Sequence, residues 1–516
     1  MQRVLPTLVG DMTFACRTRS REASGFSAAC SSLSRGGHEI VRTINELIEP
    51  NRPHGTPNYV FCAVSSDSTD PADPKAGLKP AFWTSAGPRD VRRRQSSEDS
   101  RGPPDLDTRI PLHSCTKLVT SLGVLALLDD PRGKAAGFVS IDQRVDVWLP
   151  ELGRGRKKVL KGWVDGEEPV WEEIEEGRDI TVRMLLTHTS GLSNQLNRLG
   201  AKWVKNIGEE CDNDSLERYF MDLPLFFQPG TRYQYGVNTD FLGLLIERIT
   251  ALPLSKYLQE RFFDPLGMHN TGWYPSALWD RAQHSTREIR HPTTIADSAV
   301  GMRAHFAGRR GDGLAGVISA PVRVYERGDS ALVAKESETP AERTPGCEMG
   351  GHGLWSTTGD YGRLLSWLLR LYQATFSSRV LDYNDDPDDD NKEQETCRFL
   401  SPTVARLVFT PCHPPEADMT PLLRQALYFH PGCEDEPGLK NFGGHSCVGP
   451  LVVGGEGPSG EPVGTMWWVG KCRIMWTLVP SCDLGVFMGT YMTPPYVPYE
   501  MRRLKDILFK GVRVRL

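Results

Sequence analysis

DTRIPLHSCTKLVTSLGVLALLDD, residues 107–130, is the stretch on which the fold turns. From Leu118 the apolar positions Leu118, Leu122, Leu125 and Leu128 recur at helical spacing, so a helix is expected to open just after Ser114 and to end at Pro131 and Gly133. Ser114 and Lys117 stand three residues apart, which on a helix places the hydroxyl and the amine on one face. A serine hydroxyl is a poor nucleophile until a base takes its proton, and a lysine drawn out of water can be that base. Cys115 lies inside the same motif and is the competing nucleophile. On spacing alone, a helix-capping serine beside an exposed lysine is the better explanation of the pair.

Outward from this stretch, the ends of the chain read as β and the middle as helical. Towards the N-terminus, Ile40, Ile44, Leu47 and Ile48 outline an amphipathic helix, Tyr59 to Val64 a strand and Pro80 to Thr84 a second strand. Towards the C-terminus, Gly464–Val469, Ile474–Val479 and Leu484–Tyr491 suggest an antiparallel meander, with a final helix over Tyr499–Phe509. Between them, helices are expected over Thr181–Leu186, capped by Thr181, and over Asp240–Ile249. Residues 65–107, apart from the second strand, and the charged run 153–179 read as loop and insertion, and the acidic run 382–395 as a surface loop. The expectation is an α+β fold: an antiparallel sheet made from both chain ends, flanked by helices, with a helical region inserted at about 118–345. Residues 1–36 are expected to be poorly ordered and 37–516 to form one catalytic domain.

Composition narrows the function classes. In 516 residues, 39% are hydrophobic and 24% charged, with a net charge of -5, so neither a disordered chain nor a basic nucleic-acid binder is indicated. No apolar run has the length of a membrane span, and residues 1–36 lack the apolar core of a secretory signal, although their Arg- and Ser-rich composition is shared with transit peptides. The twelve cysteines are scattered without CxxC or metal-like spacing, which reads as free buried thiols in a reducing compartment and a cytoplasmic protein. No metal or organic cofactor is implied, and the oligomeric state is not readable.

Four further blocks complete a pattern: VSIDQRVDVWLPEL (139–152), ITVRMLLTHTSGL (180–192), PGTRYQYGVNTDFLGLL (229–245) and MGGHGLWSTTGDYGRLLSWLL (349–369), with GTMWWVGKCRIMW (464–476) closing the chain's β-rich end. Together with Ser114-x-x-Lys117 they resemble the β-lactamase-like serine hydrolase family, which takes in class C β-lactamases, related esterases, penicillin-binding proteins and fungal transesterases. The resemblance spans roughly residues 38–510 and implies that fold, with Ser114 as nucleophile, Lys117 as its activating partner and Tyr235 as the proton-shuttling tyrosine. Tyr233 is the competing tyrosine. His188, in the THTSGL turn, is read as packed and hydrogen-bonded rather than as a general base. Gly350, Gly351 and Gly353 are expected to line the wall of the site, and Ser356 or Thr357 to cap the helix that follows.

The same resemblance places the oxyanion hole at the backbone N–H groups of Ser114 and Lys471, with Gly470 letting substrate approach the strand and Trp468 flanking it. Two departures from the β-lactamase pattern bear on substrate. Val237 occupies the position of an asparagine, which here arrives one residue late as Asn238, and Trp468-Val469-Gly470 replaces Lys-Thr-Gly. Lys471, Cys472 and Arg473 also replace the Gly-Pro-Asn-like run of close relatives. The activity implied is serine-dependent acyl transfer through an acyl-enzyme on a small ester or thioester, in the manner of secondary-metabolism transesterases, with a carrier-bound acyl donor as a possible partner. The alternatives are a carboxylesterase or lactonase and, in another class, a non-catalytic binding protein that has kept the pocket.

Overall fold

The computed structural model describes residues 38, 40–46, 58–73, 76–87, 103–166, 168–193, 199, 200, 202, 203, 223–273, 323–327, 332–336, 348–376, 399–429, 437–470, 474–489, 504, 507 and 509. The N-terminal segment 1–36 and the acidic run 382–395 lie outside these. Among the described residues no helix is long and apolar enough to cross a membrane.

The frame is a seven-stranded antiparallel sheet drawn from both ends of the chain. The N-terminal part supplies β1 (Tyr59–Val64) and β2 (Phe82–Ala86). The short β3 (Arg109–Pro111), the hairpin β4 (Val159–Val164) with β5 (Glu168–Glu172), the ribbon β6 (Arg323–Arg327) with β7 (Leu332–Glu336), and β8 (Trp355–Thr357) lie outside it. The C-terminal part adds β9 (Gly444–His445), β10 (Pro450–Leu451), β11 (Met466–Gly470), β12 (Ile474–Val479) and β13 (Leu484–Gly489), giving the order β2-β1-β13-β12-β11-β10-β9. The meander β11–β12–β13 is as the sequence suggests, and β1 closes on β13 in antiparallel register, with Phe61 opposite Met488.

Every residue of β1, β11, β12 and β13 is buried, because both faces of the sheet are covered. Tyr59, Phe61 and Ala63 point to one face, where Ile40, Ile44, Leu504 and Phe509 from the terminal helical segments pack. Cys62 and Val64 point to the other, into the main core. That alternation is the period of a strand, and it seats the sheet between two helical layers.

The second layer is built on α1 (Thr116–Leu127), α2 (Pro131–Ala135), α3 (Val182–Leu186), α4 (Asn238–Thr250), α5 (Leu254–Leu258), α6 (Thr358–Phe376), α7 (Pro402–Phe409) and α8 (Thr420–Phe429). All twelve residues of α1 are buried, not one face alone. Its apolar side chains enter the core, and Thr116, Lys117 and Thr120 find partners inside the protein, as described below. α6 lies across β1 and β13, where Leu365 fills the space above Gly485.

Three expectations are corrected. Pro131 does not merely end α1: Asp130 accepts from the Arg132 N–H as an N-cap, and Pro131 opens α2, a position where its missing N–H costs nothing. The helical region expected at about 118–345 also holds strands: the charged insertion 153–179 carries the β4–β5 hairpin, and β6–β7 forms a second ribbon. The second strand runs two residues later than expected, because Phe82 rather than Pro80 begins the ladder to β1; proline has no N–H to give it.

Candidate active site

Ser114 sits on a single 3-10 turn, His113–Cys115, that leads straight into α1. The turn closes on itself, the Cys115 N–H donating to Leu112 O at 3.0 Å, and is tied to the 350–354 segment by the Leu112 N–H, which donates to Leu354 O at 2.8 Å. His113, just before the serine, has φ 44°, a left-handed backbone costly for a residue with a Cβ. Strand β11 abuts the turn at Gly470, where an added Cβ would stand 2.5 Å from Leu112 O. Only glycine lets the strand edge approach the turn this closely.

Lys117 lies one turn along α1 and is buried. Its Nζ is 3.5 Å from Ser114 Oγ and donates to Gly351 O at 2.7 Å. Tyr235 also meets the serine, with Ser114 Oγ and Tyr235 Oη 2.6 Å apart, and Lys117 Nζ lies 4.9 Å from the centre of the tyrosine ring. The three residues are therefore brought together. Tyr233, the competing tyrosine, is fully buried and donates to Gln425 Oε1 at 2.9 Å. Cys115 points away from the site: its thiol is buried against Ile474 O at 3.8 Å, and burial pushes it well above the ordinary thiol range. A thiol so placed is not a thiolate nucleophile. Cys62, Cys412, Cys447 and Cys482 are likewise free and buried.

Tyr235 is flanked by Trp468, whose ring centre is 5.2 Å away, and by His188 at 5.1 Å. His188 has φ 57° and is held below its ordinary titration range, chiefly by burial and then by the neighbouring His445 and Lys117. It is therefore neutral. The Asn238 amide lies 3.1 Å from His188 Nδ1, while Asn238 Oδ1 accepts from the Ser190 hydroxyl at 2.5 Å. The amide nitrogen can only donate, so Nδ1 accepts and the ring proton sits on Nε2. His188 is thus a packed, hydrogen-bonded ring, as expected of the THTSGL turn, and its backbone carbonyl fixes the Gln234 N–H at 2.9 Å, next to Tyr235. Asn238 serves this turn. Replacing it with alanine should strand buried groups of His188 and Ser190, at about 1–3 kcal/mol. A urea midpoint in Asn238→Ala that corresponds to a loss under about 0.5 kcal/mol would contradict that role.

The glycines enter through α1. Three polar side chains of the helix bind the 350–354 segment in succession: Thr120 Oγ1 donates to Gly350 O at 2.7 Å, Lys117 to Gly351 O, and Thr116 Oγ1 accepts from the Leu354 N–H at 3.3 Å. This gives Thr116, Lys117 and Thr120 partners inside the protein and fixes the wall beside the serine. Of the two candidate caps for α6, Thr357 takes the role, accepting from the Asp360 N–H at 3.0 Å. Lys471, with Cys472 and Arg473, lies outside the described residues.

The sequence reading missed Asp240. It stands in the first turn of α4, where an acidic residue ordinarily answers to the helix dipole. Here Oδ1 accepts from the Gly351 N–H at 2.7 Å. Burial pushes the carboxyl up to about 6, against the pull of the Lys117 charge and the Gly351 N–H.

A serine and a lysine one helical turn apart, met by a tyrosine hydroxyl beside the edge of an antiparallel sheet, form a serine–lysine–tyrosine centre. The chain belongs to the Beta-lactamase family, whose model matches residues 79–449 and so takes in Ser114, Lys117, Tyr235 and Gly351 but stops short of β11. Among curated proteins it is similar to the lovastatin esterase of Penicillium rubens, 35% identical over 202 residues, covering 39% of this chain and 48% of that protein. The monacolin J acid methylbutanoyltransferase of Aspergillus terreus is 33% identical over 244 residues, 46% of this chain and 55% of that one. This chain therefore spans about half the length of these two relatives. The acyltransferase calJ of Penicillium decumbens matches more fully, at 26% identity over 75% of this chain and 77% of its own. Among solved structures, unliganded selenomethionyl simvastatin synthase from Aspergillus terreus superposes over 93% of this chain and 98% of its own, with a TM-score of 0.63 at 21% identity. That likeness places the fold with the expected β-lactamase-like architecture.

Proposed function

We propose that this protein is a serine acyltransferase or esterase acting on small ester or thioester substrates, with residues 37–516 as one catalytic unit. The observation that carries the reading is the 2.6 Å contact between Ser114 Oγ and Tyr235 Oη, with Lys117 Nζ beside both. In the first step Tyr235, with Lys117 alongside, takes the Ser114 proton as Oγ attacks the acyl carbon. Collapse of the tetrahedral intermediate expels the alcohol or thiol, which receives that proton, and leaves an ester on Ser114. In the second step an acceptor alcohol or water gives its proton to the same base as its oxygen attacks the acyl carbon; the bond from the acyl carbon to Ser114 Oγ then breaks, Oγ takes that proton back, and the new ester or acid is released. The backbone N–H groups of Ser114 and Lys471 are assigned to the developing oxyanion; Gly470 seats the end of β11 beside the turn that carries Ser114.

Transfer to an alcohol acceptor is favoured over plain hydrolysis, and a role in secondary metabolism is part of the reading. Two of the relatives are named acyltransferases or methylbutanoyltransferases, and one is named an esterase. A carrier-bound acyl donor remains part of the proposal. The discriminating experiment is acyl partitioning. With a short-chain nitrophenyl ester as donor, nitrophenol should appear in a burst, and an added alcohol acceptor should raise the steady-state rate and yield the new ester. Steady release that no acceptor accelerates would make the protein a carboxylesterase or lactonase. Absence of any release across donors of different acyl length would favour a non-catalytic binding protein.

A further inference from the structure

Asp240 has a place in this site that the serine–lysine–tyrosine chemistry does not by itself require. Its side chain is 8% exposed, and its hydrogen bond runs not along its own helix but to Gly351, 111 residues further on. The fit is close: a Cβ on Gly351 would lie 2.7 Å from both carboxylate oxygens, so a side chain at 351 and a carboxylate at 240 cannot share this space. The peptide plane joining Gly350 to Gly351 is consequently gripped at both ends. Its carbonyl oxygen accepts from Thr120 on α1, and its N–H donates to Asp240 on α4. Glycine loses more backbone freedom on ordering than any other residue, and an ungripped pair of glycines would leave the next carbonyl free to turn. That next carbonyl, Gly351 O, is the one that holds Lys117 Nζ at 2.7 Å.

We infer that Asp240 is a positioning residue: by anchoring the Gly351 N–H it aims the Gly351 carbonyl at Lys117, and so directs the amine towards Ser114 and Tyr235. A role confined to the helix dipole would need neither the reach across to Gly351 nor the glycine opposite the carboxylate. His352 Nδ1, 3.6 Å from Asp240 Oδ1, lies on the same side. Because Thr120 still holds Gly350 when Asp240 is removed, the wall itself should stay in place and only the aim of the following carbonyl should change.

The inference rests on the acyl-transfer reading, and its test has one arm that does not. Asp240→Asn keeps an oxygen acceptor for the Gly351 N–H, whereas Asp240→Ala removes it. Acylation by a nitrophenyl ester should fall about ten- to a hundred-fold in Asp240→Ala, the scale of a misplaced proton-transfer group, with the donor concentration for half-saturation unchanged. Asp240→Asn should stay within about threefold of wild type, since the acceptor is retained. In crystal structures of the two variants, the contact of Lys117 Nζ with Gly351 O should persist in Asp240→Asn and be lost in Asp240→Ala. Should the alanine variant lack a melting transition, Asp240→Leu fills the space without accepting a hydrogen bond and takes its place. An unchanged acylation rate or a retained Lys117–Gly351 contact without the acceptor overturns the inference. So does an asparagine variant as slow as the alanine variant, since charge and not anchoring would then be at work. If the wild type itself never acylates, the acyl-transfer reading fails and the crystallographic arm alone decides the role of Asp240.

Discussion

Ser114→Ala is expected to lose nitrophenyl-ester turnover by at least about 10⁴-fold, the scale of removing a nucleophile that acts in concert with its base. The fold should be kept. The serine hydroxyl is the atom on which Lys117 and Tyr235 converge, and it supports no other part of the core in the described contacts. Its neighbour should behave oppositely. Cys115→Ala trims a buried thiol that faces Ile474 rather than the site, so turnover should stay within about tenfold and any loss should be one of stability. Ester kinetics on both variants, alongside their thermal melts, check the pair. A dead Cys115→Ala and a live Ser114→Ala would reverse the assignment.

The second large effect is a choice between substrates. The resemblance to β-lactamases puts Val237 and Trp468 at the positions of an amide and a cation. Val237 is built into the apolar core, and Trp468 packs on Tyr235. A penicillin carboxylate would meet neither hydrogen bond nor countercharge at those two positions. An unpaired buried carboxylate costs several kcal/mol, and each 1.4 kcal/mol or so is tenfold in rate, so turnover should be suppressed by orders of magnitude. A neutral ester loses nothing by the same replacements, and its acyl chain gains contact with the indole. Side-by-side kinetics on a nitrophenyl butyrate and a chromogenic cephalosporin should give the ester the higher kcat/KM by far. The reverse order would return the protein to the β-lactamases proper.

What could be read in advance follows from where each signal resides. β1, β12 and β13 are short apolar runs bounded by turn residues, and the run of leucines after Ser114 announces α1 without any partner in view. Ser114, Lys117 and Tyr235 were legible because they sit inside strings that are themselves distinctive. The β4–β5 hairpin was not, because its Val and Trp residues are interleaved with Lys and Glu that read as solvated charge, and Trp171 is indeed 40% exposed. β9 and β10 are two residues each, too short for any period to show, and exist because β11 offers an edge to β10 and β10 in turn to β9. The grip on Lys117 was illegible for a different reason. Thr116, Thr120 and Asp240 look like ordinary helix residues in sequence, and their partners at Leu354, Gly350 and Gly351 lie more than a hundred residues away. Asn238 was visible only as an amide one residue out of register. The fold shows what it does there: it holds the His188 ring that packs on Tyr235.

The most direct test of the account is to find the acyl group. Wild-type protein quenched during the nitrophenyl-butyrate burst and digested should carry one butyryl group, on the peptide that contains Ser114, and fragmentation should place it on that serine. The label should be absent from Ser114→Ala treated in the same way. A butyryl group on Cys115 or on any other residue, or nitrophenol release with no acylated peptide at any quench time, would contradict a serine acyl-enzyme at this site.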